Sequence, residues 1–136
     1  MTGNYLPDEL AAELVEEARK TAANSYSPYS HFTVGAVVLT KDGQRFPGTN
    51  TENASYGLTI CAERIALGSA VSAGHMDIRA VAVWTPTESA SPCGACRQFI
   101  MEFGKDVIVV FQNEKKMIQK TIGELLPYGF TREAMQ

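Results

Sequence analysis

Residues 106–112, DVIVVFQ, have almost no polar face. A strand of this kind is buried on both sides, so it belongs in the interior of a sheet that helices cover. Two more apolar runs fit the same sheet. FTVGAVVLT (32–40) is β-branched and reads as a buried strand, and IRAVAVWTP (78–86) reads as another. Helical segments alternate with them, from Cys61 to Ala73 and from Cys93 to Phe103, stopped by Gly74 and Gly104. Ahead of these, PDELAAELVEEARKTAANS repeats Leu10, Ala11, Leu14, Val15, Ala18 and Ala22 at helical spacing, with Pro7 and Asp8 suited to its first turn. KDGQ is a turn signal, and RFPGTN returns from it as a strand that Pro47 confines to an edge.

SYSPYSH breaks the helical pattern, while TENASYGLT and TESASP read as loops. NEKK is too short for a crossover, so MIQKT is an antiparallel return strand. TIGELLP is a last short helix in which Thr121 and Glu124 have capping-box spacing. The order α-β-β-α-β-α-β-β-α predicts a three-layer α-β-α sandwich around a five-stranded mixed sheet. At 136 residues, one domain spanning 1–136 is expected.

Hydrophobic residues make up 45% of the chain, enough for a core without a disulfide staple. The beginning, MTGNYLPDELAAELVEEA, lacks the basic and unbroken apolar regions of a signal peptide, and no stretch approaches the length of a membrane span. A cytoplasmic address follows as the expectation, with no membrane partner and with thiols kept reduced. Net charge is −3 and the pI about 5.4. The one concentrated basic pair, Lys115–Lys116, falls in a turn, so a nucleic-acid partner is not expected.

The cysteines number three, Cys61, Cys93 and Cys96, and an odd count in a reduced compartment points to chemistry or metal. Zinc takes thiolates in tetrahedral geometry, and three protein ligands leave the open position of a catalytic site. PCGAC puts two sulfurs at a helix start, and Cys61 opens the other helix, so both sets of free N–H groups face the sulfurs. Three thiolates on Zn²⁺ leave a net charge of −1. Arg64, one turn after Cys61, can take charge back by bonding a sulfur, with Arg97 a further candidate. Glu63 lies in the first turn beside Cys61, where a carboxylate can move protons to and from an acidified water. A redox pair at C-x-x-C, a structural zinc site and a cysteine as a small hydrophobe remain alternatives at this point. His31 and His75, the only histidines, read as surface residues rather than a fourth ligand.

CAE followed by PCGAC matches the signature of the zinc nucleoside and nucleobase deaminases, with a cysteine where other members have histidine. Within that superfamily the chain resembles the small cytidine deaminases. YSPYSHFTVGA, GTNTENASY, TICAER, SPCGACRQ and ELLPYGF occur in the family's order and cover nearly the whole chain. The resemblance implies one zinc per chain on Cys61, Cys93 and Cys96, with Glu63 catalytic. It implies that Asn50 and Glu52 grip the sugar 3′-hydroxyl, that Phe32 packs on the base, and that the Ala62 N–H holds the pyrimidine O2. Ser91 and Pro92 would line the exit of the 4-amino group, and Tyr56 would support the sugar loop. A homotetramer is implied, with Phe130 reaching a neighbouring site.

The implied reaction turns cytidine and 2′-deoxycytidine into uridine and 2′-deoxyuridine with release of ammonia. The chain departs from its relatives at Ile65, where many carry threonine, and in the TPTESA loop. Two other readings stand beside this one. A sister deaminase could act on another 4-aminopyrimidine such as blasticidin S, against which the NTENAS sugar grip argues. A zinc-stabilised domain could bind without catalysis.

Overall fold

The computed structural model describes residues 5–87, 91–131 and 133; residues 88–90 of the expected TESASP and TPTESA loops, and the first four residues, lie outside them. In chain order the elements are α1 (Asp8–Ala22), β1 (Gly35–Thr40), β2 (Arg45–Thr49), α2 (Ala62–Ser72), β3 (Ile78–Trp84), α3 (Gly94–Met101), β4 (Ile108–Asn113), β5 (Lys116–Thr121) and α4 (Ile122–Leu125). This is the order expected from the sequence. The strands form one five-stranded mixed sheet ordered β2-β1-β3-β4-β5. β1 is antiparallel to both β2 and β3, β3 and β4 are parallel, and β4 and β5 are antiparallel. β2, with Pro47 opposite Val37, is an edge strand as its proline requires.

The apolar pattern of β4 divides between two layers. Ile108 and Val110 join Leu14, Ala18, Val37, Leu39 and Ala82 under α1. Val109 and Phe111 face the other way, with Val38, Val81, Ala66, Leu67, Ile100 and Ile122 from the side of α2, α3 and α4. The capping box is made as its spacing suggests, with the Thr121 hydroxyl accepting from the Glu124 N–H and the Glu124 carboxylate from the Thr121 N–H.

Two features depart from the sequence expectation. β1 starts at Gly35 rather than Phe32, because the preceding residues bond to the Asn50 side chain instead of a neighbouring strand. The polar segment after β2 is not a plain loop. Thr51 bridges to both Tyr26 and Ile60, and Tyr56–Leu58 form a 3₁₀ turn.

β2 and β3 run the same way, since each is antiparallel to β1 between them. The helices that follow them, α2 and α3, therefore start at the same end of the sheet. Close contact fixes α2 there. A Cβ built on Gly48 would lie 2.5 Å from the Ala66 amide nitrogen and 2.6 Å from the Ala62 carbonyl oxygen. Gly35 has the same role under α1, where a Cβ would lie 1.8 Å from the Ala18 carbonyl oxygen. Backbone cannot yield as a side-chain tip does, so Gly48→Ala and Gly35→Ala are each expected to destabilise by about 1–3 kcal/mol or more. Gly68, inside α2 with open space around its Cβ direction, should behave oppositely. Gly68→Ala is expected to stabilise by roughly 0.5–1 kcal/mol. Urea unfolding of the three variants checks both signs.

Candidate active site

Cysteine holds the N-cap position of both α2 and α3, as Cys61 and Cys93, with extended backbone and no side-chain cap bond in either case. Ser, Thr, Asp or Asn usually stands there and turns its oxygen back onto the helix. The sulfur does not, and faces the neighbouring helix start instead. Cys96 joins from the first turn of α3, fully buried. The sulfurs of Cys61, Cys93 and Cys96 all lie within 4.8 Å of one another. Thiolates on a single tetrahedral zinc, with Zn–S near 2.3 Å, would be separated by about 3.8 Å, which lies inside that bound. Three thiol donors at two helix starts, with no fourth histidine, cysteine or carboxylate in the cluster among the described residues, fit zinc with three protein ligands, the number that catalytic zinc sites use.

The protons of this cluster are unevenly held. Cys61 is drawn down to about 5, first by a hydrogen bond from Cys96 and then by the Arg64 guanidinium. Cys96 is pushed up, first as the donor of that bond, then by burial and by the nearby Glu63 charge. The pair thus keeps its charge on Cys61 and its proton on Cys96. Arg64 Nη2 stands 3.6 Å from Cys61 Sγ and 3.4 Å from the Thr59 carbonyl. Its Nε is buried with no hydrogen-bond partner among the described residues. The guanidinium thus sits against the Cys61 sulfur with donor capacity to spare.

Glu63 is 4% exposed, a carboxyl in the first turn of α2. Burial raises its pKa above the ordinary value, with the Cys61 charge adding to the shift and hydrogen bonds from its own main-chain N–H and then from Cys96 opposing it. Ala62, also fully buried, precedes it at the first helical position, where the N–H has no carbonyl one turn back.

The expected sugar residues are tied into the loops around them. Asn50 is buried, and its Oδ1 accepts from the Ser25 hydroxyl at 2.6 Å and the Val34 N–H at 3.0 Å. Its Nδ2 donates to the Phe32 carbonyl at 2.9 Å, and the second of its two amide hydrogens has no partner among the described residues. Glu52 Oε1 accepts from the Tyr29 and Ser30 N–H groups, both at 3.1 Å, and Oε2 accepts from the Ser30 hydroxyl. The Ser30 hydroxyl is the main cause of a lowered Glu52 pKa, which keeps the group a carboxylate. Glu52 and Tyr56 line a cleft of about 370 Å³ with Tyr29, Ser30 and Thr59. Tyr56 meets the Tyr29 ring edge-on at 6.0 Å. Phe32 is partly exposed at the end of the same loop.

Phe130 does not line that cleft; it lies 59% exposed on the C-terminal segment. Arg97 does not reach the sulfurs as a helper of Arg64. Its guanidinium donates instead to the Pro92 carbonyl, the Leu125 carbonyl and the Ser91 hydroxyl, because it points along α3 toward the loop that precedes Cys93. His31 is exposed, and His75 faces Asp42 at 3.6 Å, so neither joins the cluster. Sequence reasoning assigned no role to Ser25, Tyr29, Ser30 or Gln98. SYSPYSH and CRQ carried them, but nothing in those runs showed which distant carbonyl or carboxylate they would meet.

The comparisons with known proteins agree with this geometry. The family model for the cytidine and deoxycytidylate deaminase zinc-binding region matches residues 8–112. A cytidine deaminase of Halalkalibacterium halodurans is 49% identical over 125 residues, covering 90% of this chain and 95% of that protein. The crystal structure of a cytidine deaminase from Burkholderia pseudomallei superposes with a TM-score of 0.82 at 45% identity, covering 88% of this chain and 98% of the other. A blasticidin-S deaminase from Bacillus cereus is 37% identical over 129 residues, covering 88% and 91%. Cysteine at two helix starts, a five-stranded sheet that brings them together, and a family model over most of the length lead to one assignment: the chain belongs to the cytidine and deoxycytidylate deaminase family and is built to bind zinc.

Proposed function

We propose that the chain deaminates cytidine and 2′-deoxycytidine by hydrolysis, giving uridine and 2′-deoxyuridine with ammonia, as one domain over residues 1–136. The observation that carries this is Glu63: a carboxyl 4% exposed, in the same helical turn as one sulfur of a three-cysteine cluster. When bound on Cys61, Cys93 and Cys96, zinc supplies a Lewis acid that acidifies water at its open position. Glu63 accepts a proton from the water that adds to C4 of the base and passes it to N3. It then carries the second water proton to the amino group as the C4–N4 bond breaks. Arg64 draws charge from Cys61 and keeps the cluster from becoming too electron-rich.

The Ala62 N–H holds the pyrimidine O2, and Phe32 packs against the base. Asn50, through its remaining amide hydrogen, and Glu52 bond the 3′-hydroxyl, with Tyr56 closing the cleft. Such a grip does not test the 2′ position, so both sugars are accepted. The exposed ring of Phe130 and the apolar LLPYGF end support a homotetramer in which Phe130 reaches a neighbouring site. The setting we infer is cytoplasmic pyrimidine salvage. Among the described residues no helix is long and apolar enough to cross a membrane. The similarity to a blasticidin-S deaminase keeps that compound as the second candidate substrate. The carboxylate of Glu52 in the cleft with Tyr29, Ser30, Tyr56 and Thr59 favours a nucleoside with a 3′-hydroxyl.

Glu63→Gln keeps the shape and removes the proton carrier. It is expected to retain the fold and about one zinc per chain while losing at least roughly 10²–10⁴-fold in turnover. Loss of the cytidine absorbance band measures this, with blasticidin S run in parallel; unchanged ammonia release would overturn the role of Glu63. A second expectation concerns the thiol protons. Zinc ligands must be thiolates, and Cys96 holds its proton in the metal-free chain, so loading releases protons and affinity falls as pH is lowered. Calorimetric zinc titrations in buffers of different ionisation enthalpy count the protons released.

A further inference from the structure

The C-terminal segment turns back over α3 and is held by two consecutive side chains of that helix. Arg97 Nη1 donates to the Leu125 carbonyl at 2.8 Å. Gln98, two residues after Cys96, meets the main chain of Phe130 from both sides. Its Nε2 donates to the Phe130 carbonyl at 2.5 Å, and its Oε1 accepts the Phe130 N–H at 3.3 Å. A carboxamide used in this way imitates a neighbouring strand and fixes one residue's backbone in position and orientation. Gln119 binds the N–H and carbonyl of Leu6 in the same two-point manner, at 2.8 and 2.9 Å. The two cases differ in what they hold. Leu6 is buried in the core under α1, so its clamp closes the fold. At Phe130 the backbone is fixed while the ring is left 59% exposed.

The rest of the segment is shaped to turn toward this clamp. Tyr128 takes a left-handed conformation, φ 58°, and its side chain stands fully in solvent. Gly129 follows at a point where a Cβ would lie 2.8 Å from a Leu126 methyl and 3.0 Å from the Met101 terminal carbon. The chain thus adopts an uncommon backbone conformation at Tyr128, two residues before Phe130 meets Gln98. Burial of the ring does not account for this arrangement. Presentation of the ring does.

We propose that Gln98 is a positioning residue for the nucleoside. It ties the Phe130 main chain to the helix that carries Cys93 and Cys96, and so sets where the Phe130 ring stands when it closes over substrate. This rests on the reading above in which Phe130 packs at a nucleoside site. It adds that the placement of that ring is determined from α3, two residues from a metal ligand, rather than by the C-terminal segment alone. Gln98 touches neither substrate nor sulfur in this scheme and acts only through Phe130.

Gln98→Met removes both bonds at nearly constant length, and Gln98→Glu keeps one acceptor but sets a carboxylate against the Phe130 carbonyl. With zinc content equal to the unmodified chain, each is expected to raise KM for cytidine on the order of tenfold, about the effect of one net hydrogen bond, with kcat changed far less. The decisive comparison is a double-variant cycle with Phe130→Ala. If Gln98 acts through the ring, Gln98→Met adds nothing once the ring is gone. Additive losses, or equal falls in kcat and thermal midpoint at constant KM, would overturn the proposal. Amide exchange at Phe130, read without substrate, should accelerate in Gln98→Met; unchanged protection would remove the clamp itself. Turnover by the unmodified chain is measured alongside. Its absence would overturn the deaminase reading, whereas turnover with an unaltered KM in both Gln98 variants would overturn only the role of Gln98.

Discussion

Three sulfurs held within 4.8 Å of one another cannot all be ionised unless positive charge is supplied among them. The surroundings supply it from three directions. Two helix N-termini, the partly positive ends of α2 and α3, begin at the cluster, because Cys61 and Cys93 are their N-caps. Arg64 adds a guanidinium 3.6 Å from Cys61. In the metal-free chain the proton on Cys96 supplies the rest, and a bound cation takes over from it. The sheet topology follows from this demand. β2 and β3 must point the same way for their following helices to begin at one end of the sheet, and each achieves this by pairing antiparallel to β1 between them.

Much of this was open to reading. Almost polar-free strands such as residues 108–111 can lie only inside a covered sheet, and the Gly-stopped helices between them give the layer order. C-x-x-C at one helix start and C-A-E at another, with no spare histidine to complete a structural site, narrow the chemistry before any coordinate is known. These features are local: each depends on residues within a turn or two of one another.

What stayed hidden depends on partners far along the chain. Asn50 looks like a sugar ligand or a turn former, and its side chain proves to organise residues 25–34 through bonds to Ser25, Phe32 and Val34. Glu52 collects two backbone N–H groups and a hydroxyl from Tyr29 and Ser30. Arg97 beside Cys96 suggests a helper for the sulfurs, yet its three bonds all go to the loop before Cys93, to Ser91 and Pro92, and to Leu125. Main-chain carbonyls are the same at every residue, so sequence does not mark which one a long polar side chain will find.

That distinction also explains why the site is built as it is. A carboxylate that must hold a proton needs burial, and burial is secured by regular elements: Glu63 is covered because Gly48 lets α2 rest directly on β2. The cleft beside Glu52, by contrast, is lined from loops, which have no ladder of their own. Each loop is therefore fastened by one polar side chain that reaches it from a neighbouring element or segment. Asn50 fastens residues 32–34, Glu52 fastens 29–30, and Gln98 fastens Phe130. Each fastening bond is worth only about 1 kcal/mol net. That is enough to choose one arrangement of an exposed loop without making it as rigid as the core.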